Sequence, residues 1–171
     1  GLIKNSNTTA LNGQSLKRDL ENLLQFPVRI ANDANCFALA ETLLGAIPQK
    51  MPEVQNAFGV IMGTGVGGGV VVNKQLVSGL HGIAGEWGHN FLHESGGKCY
   101  CGKTGCVETV ISGKGLERYY FSKTGKALSL ETISGAAGHD EAARETLERL
   151  YVYFGQAIAR VINILDPEKS R

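Results

Sequence analysis

Three cysteines within eight residues, Cys99-Tyr100-Cys101-Gly102-Lys103-Thr104-Gly105-Cys106, constrain this chain more than any other feature. They close a stretch, residues 78–105, that has no sustained helical or strand period and is long for a loop inside a domain. Such a segment builds no core of its own and needs another tie. A disulfide is a poor one, because three clustered cysteines leave one over, and Cys99 and Cys101 are too close in the chain for an easy unstrained bridge. No secretion signal opens the chain, so reduced thiols and a cytoplasmic setting are expected. Three thiolates and one imidazole instead make a tetrahedral Cys3His zinc site, fully occupied by protein ligands and hence structural. His89 and His93 precede Cys99 by ten and six positions. Gly97, Gly102 and Gly105 let the backbone fold sharply enough to gather the sulfurs. The competing reading is reduced, metal-free cysteines in a surface loop.

Glycine is the second constraint, at 23 of 171 residues against an average near ~7%. Proline is scarce, at 4, so the surplus is not that of a disordered segment. With 43% hydrophobic residues the chain can bury a core, and the glycines call for an explanation in backbone chemistry. Seventeen Lys and Arg against sixteen Asp and Glu leave a net charge of +1, which gives no electrostatic case for nucleic acid or an anionic membrane. The longest apolar runs, 58–62 and 69–72, fall far short of the ~20 residues of a spanning helix.

The periodicities predict an α/β chain. Leu16, Leu20, Leu23 and Leu24 predict a helix with Ser15 as N-cap and Pro27 beyond its end, followed by a short strand at 28–31. A helix over 36–44, closed by Gly45, and a loop over 46–56 come next. Residues 57–62 and 70–72 read as strands joined by Gly63-Thr64-Gly65-Val66-Gly67-Gly68-Gly69, with Asn73-Lys74 as a hairpin turn. Residues 141–165 carry Leu147, Leu150, Tyr151, Phe154, Ile158, Val161, Ile162 and Leu165 at helical steps, and Asp166-Pro167 stops them. The apolar start and abrupt end lead us to expect a piece of something larger.

The glycine-rich turn admits two readings. Residues without Cβ let a phosphate approach successive N–H groups, and the Thr64 hydroxyl adds a donor; a glycine-rich hairpin or bulge explains the run equally well. It is not a Walker loop, for no Gly-Lys-Ser/Thr follows, and no helix opens as a dinucleotide fingerprint requires. Asp33, where a strand gives way to a helix, occupies a place where α/β sheets present functional groups, or simply caps the helix. Glu86, in Gly85-Glu86-Trp87-Gly88-His89, and Glu108, in Cys106-Val107-Glu108, bracket the cysteine loop; each taken alone reads as a surface carboxylate.

Together and in order, Asn32-Asp33-Ala34-Asn35, the run Gly63–Gly69, Gly85-Glu86-Trp87-Gly88-His89 and Cys99-x-Cys101-Gly102-x-x-Gly105-Cys106-x-Glu108 resemble the ROK family (repressors, open reading frames and kinases). Lys4-Asn5-Ser6-Asn7, Leu11-Asn12-Gly13 and Ala84–Asn90 are most similar to its fructokinase and mannokinase-like members. The resemblance implies an actin-like, ribonuclease-H-like ATPase fold and an ATP- and Mg2+-dependent hexose kinase. It assigns Asp33 as general base toward the sugar 6-hydroxyl, and Asn32, Glu86, His89 and Glu108 as partners of sugar hydroxyls. Gly63, Thr64 and Gly65 would form the second phosphate loop. His89, Cys99, Cys101 and Cys106 would bind zinc, leaving His93 incidental.

Two family elements have no counterpart here, an N-terminal Asp-x-Gly-Gly-Thr phosphate loop and the Gly-Gly adenosine motif beyond Asp166-Pro167. Residues 1–171 are therefore expected to be the sugar-binding and zinc-loop portion of a kinase, inactive by itself, with hexose and ATP as the parent's partners. Apolar faces left uncovered would admit a homodimer. The alternatives are an N-acetylglucosamine kinase, the sugar-sensing domain of a ROK repressor, and a zinc-stabilised interaction module.

Overall fold

The leucines at 16, 20, 23 and 24 do form a helix, α1 (Leu16–Leu24), in a computed structural model that describes residues 2–3 and 8–167. Lys4-Asn5-Ser6-Asn7 and the terminal Glu168-Lys169-Ser170-Arg171 lie outside the described residues. The chain divides into two units, 1–32 and 33–171. In the first, Ser15 precedes α1 without a side-chain capping bond, and Gln25 ends it in the left-handed region, its N–H donating to Glu21 O at 2.9 Å. Residues 28–31 are not the expected strand. A strand needs a partner, and the Val28 N–H donates instead to the Glu21 side chain at 3.2 Å.

The second unit opens with α2 (Asp33–Leu43), which starts three residues earlier than the sequence suggests. The expected loop at 46–56 contains a short helix, α3 (Ala46–Lys50). Pro48 is no obstacle there, since a helix's first turn has no use for its missing N–H. Strands β1 (Ala57–Met62), β2 (Val66–Val72) and β3 (Gln75–Leu76) form an antiparallel sheet in the order β1-β2-β3. Register runs from Ala57 opposite Val71 to Met62 opposite Val66. Asn73 and Lys74, with φ of 51° and 59°, make the tight turn expected between β2 and β3.

The second strand corrects the reading of the glycines. It begins at Val66 rather than Val70, so Gly67, Gly68 and Gly69 are strand residues and only Gly63-Thr64-Gly65 is turn. Their purpose is close packing. A Cβ on Gly69 would sit 2.7 Å from Ala38 Cβ and 2.8 Å from Ala34 O, and one on Gly59 would sit 2.6 Å from Ala38 Cβ. Glycine thus lets α2 lie directly on the sheet. Gly69→Ala has to push a helix backbone off a strand, so it should cost about 1–3 kcal/mol. Urea unfolding with the midpoint unshifted would refute that packing role.

After the irregular stretch come α4 (Val107–Ile111), α5 (Gly113–Thr124), α6 (Leu130–Ala136) and α7 (Glu141–Leu165). Ser112, Ser129 and Asp140 cap α5, α6 and α7 by accepting N–H bonds from the first turn. Asp140 also accepts the Tyr120 hydroxyl at 2.7 Å, a bond that lowers its pKa. The main core joins Val66, Trp87, Leu92, Val107, Val110, Ile111 and Ala157, with Phe58 edge-on to Trp87 at 5.6 Å between centroids. Leu150, Phe154 and Val161 of α7 pack on that core, while Tyr151 and Ile162 of the same expected stripe are exposed. Among the described residues no helix is long and apolar enough to cross a membrane.

Candidate functional site

The stretch from 78 to 105 is held by turns rather than by periodic structure. Gly97, Gly102 and Gly105 have φ of 66°, 90° and 73°, conformations that side-chain-bearing residues rarely adopt. Gly105 is doubly required, because a Cβ there would meet His93 O at 2.6 Å. Between these glycines the Cys99 N–H donates to Lys103 O at 2.8 Å and the Gly105 N–H to Gly97 O at 2.9 Å, so the loop doubles back on itself. His89 comes from a 3-10 turn at Trp87–His89, and Cys106 from the residue that precedes α4.

These turns gather His89, Cys99, Cys101 and Cys106 so that their ligand atoms all lie within 4.8 Å of one another. Cys99 Sγ is 3.6 Å from His89 Nδ1, and Cys101 Sγ is 3.6 Å from Cys106 Sγ. With Zn–S near 2.3 Å and Zn–N near 2.0–2.1 Å, a tetrahedron has S···N edges of about 3.6 Å and S···S edges of about 3.8 Å. The two separations therefore fit a zinc ion at the centre, and the donor set is that of a closed structural site. His93 is not in the cluster; its Nδ1 bonds Ser95 Oγ at 2.7 Å. Cys36 is exposed elsewhere on α2.

Without a cation, burial and the mutual contacts of the thiols raise two of the three and lower the third. Burial, and then hydrogen bonds to Cys101 and Cys99, push the Cys106 thiol up to about 12, and burial raises Cys99 as well. Burial acts to raise Cys101 too, but the N–H of Lys103 and the neighbouring thiols outweigh it, so this thiol is lowered. A divalent ion reverses such logic by stabilising all three thiolates.

Within the second unit, the glycine turn, Glu108, Trp87 and the start of α2 meet near the start of β2. A Cβ on Gly67 would lie 3.1 Å from Ala34 Cβ, next in the chain to Asp33. The Trp87 indole N–H donates to Gly67 O at 2.9 Å, and Gly88 lies so close over Val66 O that a Cβ would collide with it. Glu108, in the first turn of α4, accepts the Val66 N–H on Oε2 at 3.1 Å. The turn itself is braced, with Gly63 N–H on Gly65 O at 2.9 Å and Gly113 N–H on Gly63 O at 2.8 Å. Asp33 is exposed at the first position of α2, its Oδ1 accepting the Ala34 N–H at 2.9 Å. Asn32 ends the first unit, one residue before it.

Sequence reasoning missed Tyr100. Its hydroxyl bonds His89 Nε2 at 3.0 Å, with the rings edge-on at 5.2 Å. Burial first, and then the Glu108 and Cys99 charges, raise its pKa. The only sequence signal was its place between two clustered cysteines. Both nitrogens of His89 are thereby directed, Nδ1 toward the thiols and Nε2 toward a hydroxyl.

With this arrangement in hand, the profile of the ROK family matches residues 1–170. The chain belongs to the ROK family. Among curated ROK relatives it is 38% identical over 173 residues to the N-acetyl-D-glucosamine kinase of Pectobacterium carotovorum subsp. carotovorum, a match covering 95% of this chain and 56% of that protein. It is 37% identical over 170 residues to the glucokinase of Halalkalibacterium halodurans, covering 90% and 50%. The crystal structure of the ROK hexokinase from Thermus thermophilus superposes with a TM-score of 0.81 at 29% identity, covering 92% of this chain and 52% of that one. The fold is thus that of the ROK sugar kinases, an actin-like ATPase fold, and the chain spans about half the length of the relatives it matches. Their names cover N-acetylglucosamine and glucose, and do not single out the fructose and mannose branch expected from the sequence.

Proposed function

We propose that this chain is the sugar-binding and zinc-loop portion of an ATP-dependent hexose kinase that phosphorylates the sugar 6-hydroxyl. The observation that carries the reading is the convergence on one end of β2: the start of α2, the Trp87–His89 turn, and Glu108 beside the glycine turn. A sugar and a phosphate bound there would be neighbours. Relatives named as sugar kinases at 37–38% identity support the class of reaction.

In this reading the Asp33 carboxylate takes the proton of the 6-hydroxyl as its oxygen bonds to the γ-phosphorus. The bond from that phosphorus to the β–γ bridging oxygen breaks, and ADP leaves. Asp33 is exposed at a helix start and needs no unusual acidity, since phosphoryl transfer depends mostly on positioning and charge stabilisation. Asn32, Glu86, His89 and Glu108 hydrogen-bond the other hydroxyls, and Gly63, Thr64 and Gly65 offer N–H groups and a hydroxyl to the phosphates. His89 reaches a sugar with Nε2, which means exchanging its bond to Tyr100. Mg2+ accompanies ATP and neutralises charge on the transferred group. The zinc ion, held by His89, Cys99, Cys101 and Cys106, fixes the loop that carries His89 and takes no part in transfer.

The test is a coupled assay for ADP on the full-length protein with fructose, mannose, glucose and N-acetylglucosamine. A kinase gives turnover of roughly 1–100 s⁻¹ with at least one of them. The 171-residue chain by itself should give none, because one glycine turn supplies charge stabilisation from one side only. Sugar binding by the full-length protein with no ADP formed would overturn the kinase reading in favour of a sugar sensor.

A further inference from the structure

Glu108 has been given a sugar hydroxyl, yet its carboxylate is already engaged. Oε2 accepts the Val66 N–H at 3.1 Å, at the point where the glycine turn enters β2. Fit is close enough that a Cβ on the adjacent Gly65 would lie 2.5 Å from the same oxygen. Of the amides around the turn, that of Gly63 is bonded to Gly65 O, while Thr64 and Gly65 stand at its tip. The Val66 N–H is therefore the innermost donor that the turn offers an anion, and an anion, the Glu108 carboxylate, is on it.

A carboxylate and a phosphoryl oxygen cannot share one N–H donor without repulsion, for each is an acceptor carrying negative charge. We propose that Glu108 is the residue coupling sugar to nucleotide: its carboxylate occupies the Val66 N–H of the phosphate turn until sugar hydroxyls draw it away. This rests on the kinase reading, in its assignment of the turn to phosphate. Hydroxyl donors on the sugar replace the amide as partners of the carboxylate, and the freed amide faces the phosphate. Coupling of this kind is reciprocal, so phosphate tightens sugar binding by the same factor, typically about 5–150-fold. Its consequence for the enzyme is that phosphates are held well only when an acceptor is present, which limits transfer to water.

Trp87 supplies the readout. It is the only tryptophan, and its indole N–H bonds Gly67 O one residue beyond Val66, so its fluorescence reports on this end of β2. Inorganic tripolyphosphate is titrated into the 171-residue chain with no sugar present. Glu108→Gln keeps the shape of the side chain but removes the competing charge, and should bind the probe about 5-fold tighter or better. Glu108→Asp, with the charge retained but drawn back by one methylene, should fall between. Glu94→Gln removes the same charge from the exposed outer loop and should leave affinity unchanged. Zinc content and circular dichroism equal to wild type establish that each variant is folded. Equal affinity in Glu108→Gln and wild type, or equal tightening by Glu94→Gln, overturns the coupling role while the kinase reading stands on its own assay. Failure of tripolyphosphate to bind either protein overturns the coupling together with the phosphate turn. Tighter binding by Glu108→Gln in a protein that phosphorylates no sugar sinks the kinase reading alone.

Discussion

Cys106→Ser should strip the metal from the protein and melt the segment from 78 to 106. Cys106 is fully buried, it precedes α4, and its neighbours Val107, Val110 and Ile111 form the centre of the main core. Losing this ligand therefore disturbs the core as well as the loop. Structural zinc sites contribute about 10–16 kcal/mol of apparent binding free energy in small peptides. Even a loss of about 3–5 kcal/mol corresponds to a fall in Tm of roughly 10 °C or more in a unit of this size. Cys99→Ser and His89→Ala should act in the same direction, whereas Cys36→Ala and His93→Ala should keep one zinc per chain. Acid should act like a ligand substitution: metal binding displaces protons from the thiols, above all from Cys106, whose metal-free pKa is about 12, so affinity falls as pH falls. Elemental analysis and thermal melts on protein prepared without chelator decide the matter. A Cys106→Ser protein that melts with wild type, or a wild type with no stoichiometric metal, would leave the cluster as reduced thiols.

The second large effect is expected at Asp33. Asp33→Asn in the full-length protein should lower kcat by about 10²–10⁴-fold with sugar affinity little changed, because the amide keeps the shape but cannot accept the hydroxyl proton. Asp33 Oδ1 accepts the Ala34 N–H next to it, which an amide oxygen accepts as well. A structural role would therefore survive the substitution, and a catalytic one would not. Single-turnover rates within a few-fold of wild type would make Asp33 a helix-start residue and nothing more.

How much of this was legible in advance depended on the range of the interaction. The clustering of possible metal donors was, because three of the four lie within eight residues and chemistry limits what clustered thiols and an imidazole can do. The choice of His89 over His93 was different: they stand ten and six positions before Cys99, both within reach, and backbone turns at three glycines set which imidazole reaches the sulfurs. The long helix α7 matched its 3.6-residue pattern from Glu141 to Leu165. Residues 28–31 looked like a strand by composition and were not one, since pairing is a property of a partner and not of the segment.

By itself, the sequence determined which side chains could form a Cys3His donor set, the limits of α7 and β1, and the order of motifs that marks the ROK family. All of these are local or additive in character. Only the tertiary structure decided that Gly67 and Gly69 are strand residues lying against α2 and Gly68 one lying against Phe58 and Trp87, that Tyr100 partners His89, and that Glu108 lies on the Val66 N–H 42 residues away in the chain. The physical reason is the same in each case. A missing Cβ, a hydroxyl or a carboxylate carries no sign of its partner, and the identity of that partner is fixed by how α2, α4 and the irregular loop close over one end of a three-stranded sheet.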